Sequence, residues 1–269
     1  AIGTNALYTN TASNNTAVGK SALESNTTAI NNTAVGKTAL GANTTGHRNT
    51  SIGKDSMAVN TTGCCNASVG WGSLGSNTTA TGNTAVGAVA LTSNTTGIKN
   101  AALGESALYT NTTGCCNVAV GRQALYANTT ANDNTAVGNN ALFANTTGCQ
   151  NTALGFNTLA TNISGCQNVA IGMKALDSQT NGTGNTALGN ESLTVVTTGS
   201  YNTGTGWLAG VDVTTGSNNS FLGRDAGRTG SPGGSITTGN DTIVLGDEHV
   251  TDLFCADTSI SSSDLRDKT

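Results

Sequence analysis

The sequence predicts an all-β chain, a parallel β-solenoid (β-roll or β-helix) of about 15 coils with 17 residues in each coil. Three observations carry this. Glycines of Val-Gly type dipeptides fall at Gly19, Gly36, Gly53 and onward to Gly223 in equal steps of 17. The unit N-T-A-V-G-x-x-A-L-x-x-N-T-T-G-x-x, as in Asn134 to Gly148, holds two short apolar pieces bounded by Gly and Asn punctuation. Thr (48), Asn (34) and Gly (36) supply 118 of the 269 residues, a composition for strands and turns rather than helices.

A unit this short cannot bury an apolar side by itself, so successive units must stack with like residues above like. At about 4.8 Å per rung the result is a stiff rod on the order of 70 Å long. Within the T-A-V piece side chains alternate, so the Val column (Val18, Val35, Ile52, Val69, Val86) and the Ala column before it (Ala17, Ala34, Ala85, Ala102) face opposite ways. The expectation is that the Val and Leu columns fill each coil and the Ala columns pack against another chain, since a strand apolar on both sides is covered on both. A homotrimer is the simplest fibrous form. The alternative is a thicker monomeric coil with both columns internal.

Asn also recurs once per coil in two columns, for example Asn117, Asn134, Asn151, Asn168 and Asn185. Stacked amides can bond along the rod, or each Asn can close its own turn. The Asn-Thr-Thr triplets match glycosylation acceptors at Asn26, Asn43 and their equivalents, although turn chemistry accounts for them.

The regular repeat occupies residues 1–203. Residues 204–250 read as degenerate closing coils, in which Trp207-Leu208-Ala209-Gly210 and Arg224-Asp225-Ala226-Gly227 replace the usual Ala-Leu pair. A loop insertion at 228–236 carries Ser231-Pro232-Gly233-Gly234. Residues 251–269 read as a charged exit segment toward a missing domain. The chain opens in mid-pattern and reads as a fragment.

Several functions are disfavoured. One proline excludes collagen and Pro-rich stalks. The 11 Lys and Arg are scattered singly along the sequence, so no nucleic-acid surface is expected. No apolar run is long enough for membrane insertion. Asp55, Glu105, Asp133, Asp177 and Glu191 fall at different repeat positions, so no catalytic carboxylate pair emerges in the rod. Gly204-Thr205-Gly206 lacks the strand-to-helix context of a nucleotide loop. No enzyme activity and no cofactor are expected.

Cys64, Cys115, Cys149 and Cys166 share one column, and Cys65 and Cys116 the next. Cys149 and Cys166 lie on adjacent coils, within disulfide reach. The two vicinal pairs are three coils apart and could join chains instead, or all could remain free thiols. There is no C-x-x-C, and His47 and His249 are remote from one another, so no metal is assigned.

The N-x-A-[VI]-G units are similar to the head repeats of trimeric autotransporter adhesins, which implies a trimeric β-roll. The C-terminal segment, with Ser263-Asp264-Leu265-Arg266-Asp267-Lys268, resembles the stretch of tailed-phage (cyanophage-like) tail fibres that opens an endosialidase-type intramolecular chaperone. That resemblance implies a self-processing pair at Ser263 and Lys268, inert without the rest of the chaperone, and assembly in a reducing cytoplasm. It implies a structural virion protein, the rigid shaft or distal part of a tail fibre. The partners would be further tail or baseplate proteins and a host-surface glycan or protein receptor. A bacterial trimeric adhesin head is the alternative. An ice-binding solenoid using Thr95, Thr112, Thr129 and Thr146 is a remote one, because adjacent Thr-Thr in a turn points the hydroxyls apart.

Overall fold

The computed structural model describes residues 1–231 and 233–251. It is an all-β solenoid with fourteen three-residue strands in one parallel sheet, ordered as in the sequence. The series runs from β1 (Thr16–Val18), β2 (Thr33–Val35) and β3 (Thr50–Ile52) to β12 (Thr203–Thr205), β13 (Ser220–Leu222) and β14 (Ile243–Leu245). Ile2 adds a single bridge to Val18 ahead of the first strand. Partners are 17 residues apart through β13, as in Ala119↔Ala136, and 23 apart at the last step, Phe221↔Val244. The sheet therefore runs unbroken from the regular repeat into the closing coils.

The middle residue of every strand is buried and its neighbours are not. This reverses the expected facing. Ala17, Ala34, Ala85, Ala102 and Ala136 lie in the core at 0–1% exposure, whereas Val18, Ile52, Leu103 and Leu154 face out at 36–50%. The Leu column behaves as expected: Leu23, Leu40, Leu108 and Leu125 are fully buried. The reason is volume. Opposite the strand, Ala and Leu of the A-L pair both point inward, as Ala107 and Leu108 do. One Leu and two Ala, with two Asn, fill the lumen, so a β-branched residue at the strand centre would overpack it.

Two adjacent inward side chains cannot come from a strand. In each regular coil the Leu takes a left-handed backbone, φ 51–52 at Leu108, Leu125 and Leu142, as do the residues two before it (Ser106, Gln123, Asn140) and eight after it (Cys116, Asp133, Gln150). Each costs about 1 kcal/mol, and together they let the chain close on itself in 17 residues. The Val-Gly glycine is obligatory for another reason. At Gly121, φ is 132° and a Cβ would lie 2.5 Å from the carbonyl oxygen of Gly138 in the next coil.

Both readings of the Asn columns hold together. Asn43 Nδ2 donates to Asn26 Oδ1 in the preceding coil at 2.9 Å and to Gly46 O within its own turn at 2.8 Å. In the second column Asn134 Nδ2 donates to Gly148 O at 2.9 Å, and Asn134 Oδ1 accepts the backbone N–H of Asn151 at 3.0 Å. These side chains are buried, Asn26, Asn43, Asn128 and Asn145 completely, so those positions cannot carry glycans. Among the described residues, Asn140 Oδ1 is the buried side-chain atom without a partner.

The closing coils exchange core volume. Gly210 and Gly227 stand in the Leu column, and Phe221 replaces Ala at the strand centre with 1% exposure. A Cβ at Gly210 would meet Phe221 Cδ2 at 2.6 Å, so the ring occupies space that Leu fills elsewhere. The insertion leaves after Gly227 and the coil resumes at Thr237, whose carbonyl accepts Thr214 N–H at 2.8 Å. Ile236 packs back on the core.

Gly121→Ala is expected to cost about 3 kcal/mol, from strained φ and overpacking together. Urea unfolding of the variant checks this, and a loss under 1 kcal/mol would mean that the coil can widen at that point.

Candidate functional site

The first and third residues of each strand make the outer face of the sheet. The third-position column (Val18, Val35, Ile52, Val69, Val86, Leu103, Val120, Val137, Leu154, Ile171, Leu188, Thr205, Leu222, Leu245) runs along the rod. Leu103, Leu154, Leu188 and Leu222 are 45–57% exposed. The first-position column is mostly Thr, with Ala67, Ala101, Val118, Val169 and Ile243 interposed. The residue pattern dictates this surface: the small strand-centre residue must go inside, so its larger neighbours go out.

The turn threonines are occupied otherwise. Thr95, Thr112 and Thr129 Oγ1 donate to the backbone carbonyls of Thr112, Thr129 and Thr146 at 3.0–3.2 Å, and Thr146 Oγ1 to Ile163 O at 3.1 Å. These hydroxyls tie coil to coil.

Stacking also gathers side chains that are remote in sequence. Lys20, Lys37 and Lys54 fall on successive coils, their carbonyls accepting Thr38, Asp55 and Gly72 N–H at 2.9–3.0 Å. The lysines that are single along the sequence thus form a short basic column. Asp55 pairs with Lys54 at 2.9 Å, and the Lys54 hydrogen bond holds its carboxyl below the ordinary value. Tyr109, Tyr126 and Phe143 form an aromatic column with ring centroids 5.1 Å apart. Of the remaining acids singled out above, Glu105 contacts Arg122 at 3.5 Å, and burial pushes the Asp177 carboxyl up.

The thiols fall into three groups. Cys149 and Cys166 Sγ are 2.9 Å apart on adjacent coils, and Cys149 N–H also points to Cys166 Sγ at 3.1 Å. That contact, then burial, pushes the Cys149 thiol up. Burial first, and the neighbouring thiol second, push the Cys64 and Cys115 thiols up. The two vicinal pairs stay three coils apart. His47 lies with Cys64 and Cys65, their ligand atoms all within 4.8 Å of one another. This grouping was not anticipated, although one coil length, 17 residues, separates His47 from Cys64. Ser263, Lys268, Cys255 and the exit segment beyond Thr251 lie outside the described residues.

At the C-terminal end a polar groove is lined by Asp212, Arg224, Asp225, Arg228, Thr229, Asp247 and Glu248. Arg224 Nη2 donates to Asp247 Oδ2 at 2.8 Å, and Arg228 Nη1 contacts Asp225 Oδ1 at 2.9 Å. The Arg224 hydrogen bond, with the backbone N–H of His249, lowers Asp247 to about 2. Among the described residues no helix is long and apolar enough to cross a membrane.

Two outcomes are expected. Because Asp247 is depressed from 3.8 to about 2, its contribution to holding the last coil is complete above pH 3.8 and is lost as pH falls toward 2. An NMR titration of the Asp247 carboxyl should place its midpoint near 2; a midpoint at 3.8 would mean that Arg224 does not engage it. Mild oxidation should join Cys149 to Cys166 within one chain and stabilise the rod by about 3 kcal/mol. Peptide mapping that finds this pair reduced while others oxidise would contradict the contact.

No protein-family model matches this sequence, and no curated protein matches it.

Proposed function

We propose that the chain is a structural protein of a phage virion, the rigid shaft or distal part of a tail fibre, working as a homotrimer that supports host-receptor attachment. The observation that carries this reading is the outer sheet face. It carries a column of Val, Ile and Leu roughly 60 Å long, broken by Thr205 and flanked by a column of Thr with Ala, Val and Ile interposed, a long exposed apolar line for a monomeric protein. A second and third copy carry the same strip at the same rung spacing, so the columns can interdigitate along the whole rod. The Val and Leu columns, rather than the Ala columns, are then the interface.

Three chains, rather than two, follow from the two resemblances, both to trimeric assemblies. The Ser263–Lys268 motif favours the virion over a bacterial adhesin head, which the A-V-G repeat alone would fit equally. An ice-binding role would use the exposed strand threonines. Their replacement by Ala67, Ala101, Val118, Val169 and Ile243 suits a dry protein contact better than an ordered hydroxyl array.

In this reading the rod is a mechanical element. Bending it means separating rungs that are bonded by backbone and Asn side chains at once, so a load at a receptor-binding tip passes to the tail or baseplate proteins at the other end. The fibre is part of the virion and acts outside the cell after release.

Light scattering is expected to give three times the 26.6 kDa chain mass. The double variant Leu154→Glu/Leu188→Glu should release folded monomers, since both side chains point away from the core. A wild-type chain that is folded and monomeric at micromolar concentration would overturn the trimer; thermal hysteresis in that monomer would favour ice binding.

A further inference from the structure

We propose that His47, Cys64 and Cys65 form a binding site for a thiophilic divalent cation, with Zn²⁺ the best-suited ion. The solenoid builds the site from two coils. His47 lies one coil before Cys64, and the backbone N–H of Cys65 donates to His47 O at 3.0 Å, which fixes the two coils in register there. Cys65 has φ 60. The left-handed turn thus falls at the residue whose thiol joins that of Cys64 in the cluster. The imidazole nitrogen and both Sγ atoms converge within 4.8 Å of one another.

The donor set selects the ion. One imidazole and two thiolates suit a borderline-soft d¹⁰ cation, with Zn–S about 2.3 Å and Zn–N about 2.0–2.1 Å in tetrahedral geometry. Small side-chain rotations bring three such atoms onto one ion. The two thiols release their protons on binding, so their negative charges neutralise the cation. The fourth position of a tetrahedral site is left for a water, as in three-ligand zinc sites generally.

The chain contains its own control. Cys115 and Cys116 repeat the thiol pair, with the same φ of 60 at Cys116. Ile98 stands where His47 stands for the first pair. The two sites differ in the imidazole, so the proposal separates them.

The test is an anaerobic titration of the full, reduced, metal-free chain with Co²⁺, followed by displacement with Zn²⁺. The expected result is one equivalent bound tightly per chain, with thiolate-to-cobalt charge-transfer absorption and the strong visible bands of a tetrahedral site. His47→Ala and Cys64→Ser should each weaken binding by about a hundredfold or more, since even outer-sphere changes cost 10–100-fold. Cys115→Ser/Cys116→Ser should leave it unchanged. Ile98→His should add a second equivalent, a gain that no folding defect can mimic, and Ile98 is 37% exposed. Absence of the charge-transfer band, binding unaffected by His47→Ala, or a signal that follows Cys115 and Cys116 would each overturn the assignment.

Discussion

The fold depends on one constraint: each coil must close in 17 residues so that every rung meets the next in register. Backbone bonds between strands supply part of this, as in Gly138 N–H to Val120 O at 2.8 Å. The two buried Asn columns supply the rest. Asn128 Nδ2 reaches both Asn111 Oδ1 at 2.7 Å and Ala131 O at 3.2 Å, joining coil to coil and turn to itself. A residue that shifted register by one would strand buried amides without partners, at about 1–3 kcal/mol for each group. The small Ala core, the left-handed Leu and the invariant Val-Gly glycine are all consequences of keeping a narrow coil closed around these amides.

The period made the architecture legible, and the period also set its limits. Strand position, parallel pairing and the 17-residue register follow from the glycine spacing. Which of two apolar columns turns inward does not, because alternation is satisfied either way. The deciding term is lumen volume, and its trace in the sequence is size rather than polarity. The strand centre holds Ala, Ser or Gly until Phe221, whereas the next column varies among Val, Ile, Leu and Thr205. Ser51 and Ser68 at the strand centre look like surface residues. They are buried because Ser56 and Ser73 face them, with Ser51 Oγ to Ser56 Oγ at 2.9 Å and Ser56 Oγ to Ser68 Oγ at 2.8 Å. Left-handed Leu had no local signal, since bulky residues seldom adopt φ above zero.

The same arithmetic governs chemistry on the surface. In a solenoid, residues one period apart are neighbours, and their sequence distance is irrelevant to their contact. Cys149 with Cys166 could be read this way from the sequence, and so could His47 with Cys64. The convergence of Cys65 on that pair could not, because it needs the left-handed turn at Cys65. The Arg224–Asp247 pair was hidden for a related reason: the insertion changes the step there from 17 to 23, and the column has to be recounted across it.

The buried Asn column is tested most directly by the stability of Asn134→Ala, measured by urea unfolding beside that of Asn190→Ala, an exposed Asn one column away from any ladder. Removing the Asn134 side chain leaves the Asn151 N–H buried without its acceptor, while Gly148 O keeps only the Asn145 Nδ2 donor. A loss of about 2 kcal/mol is expected for Asn134→Ala, against less than about 0.5 kcal/mol for the surface variant. Equal, small losses at both positions would contradict the account, and would mean that backbone pairing alone sets the register.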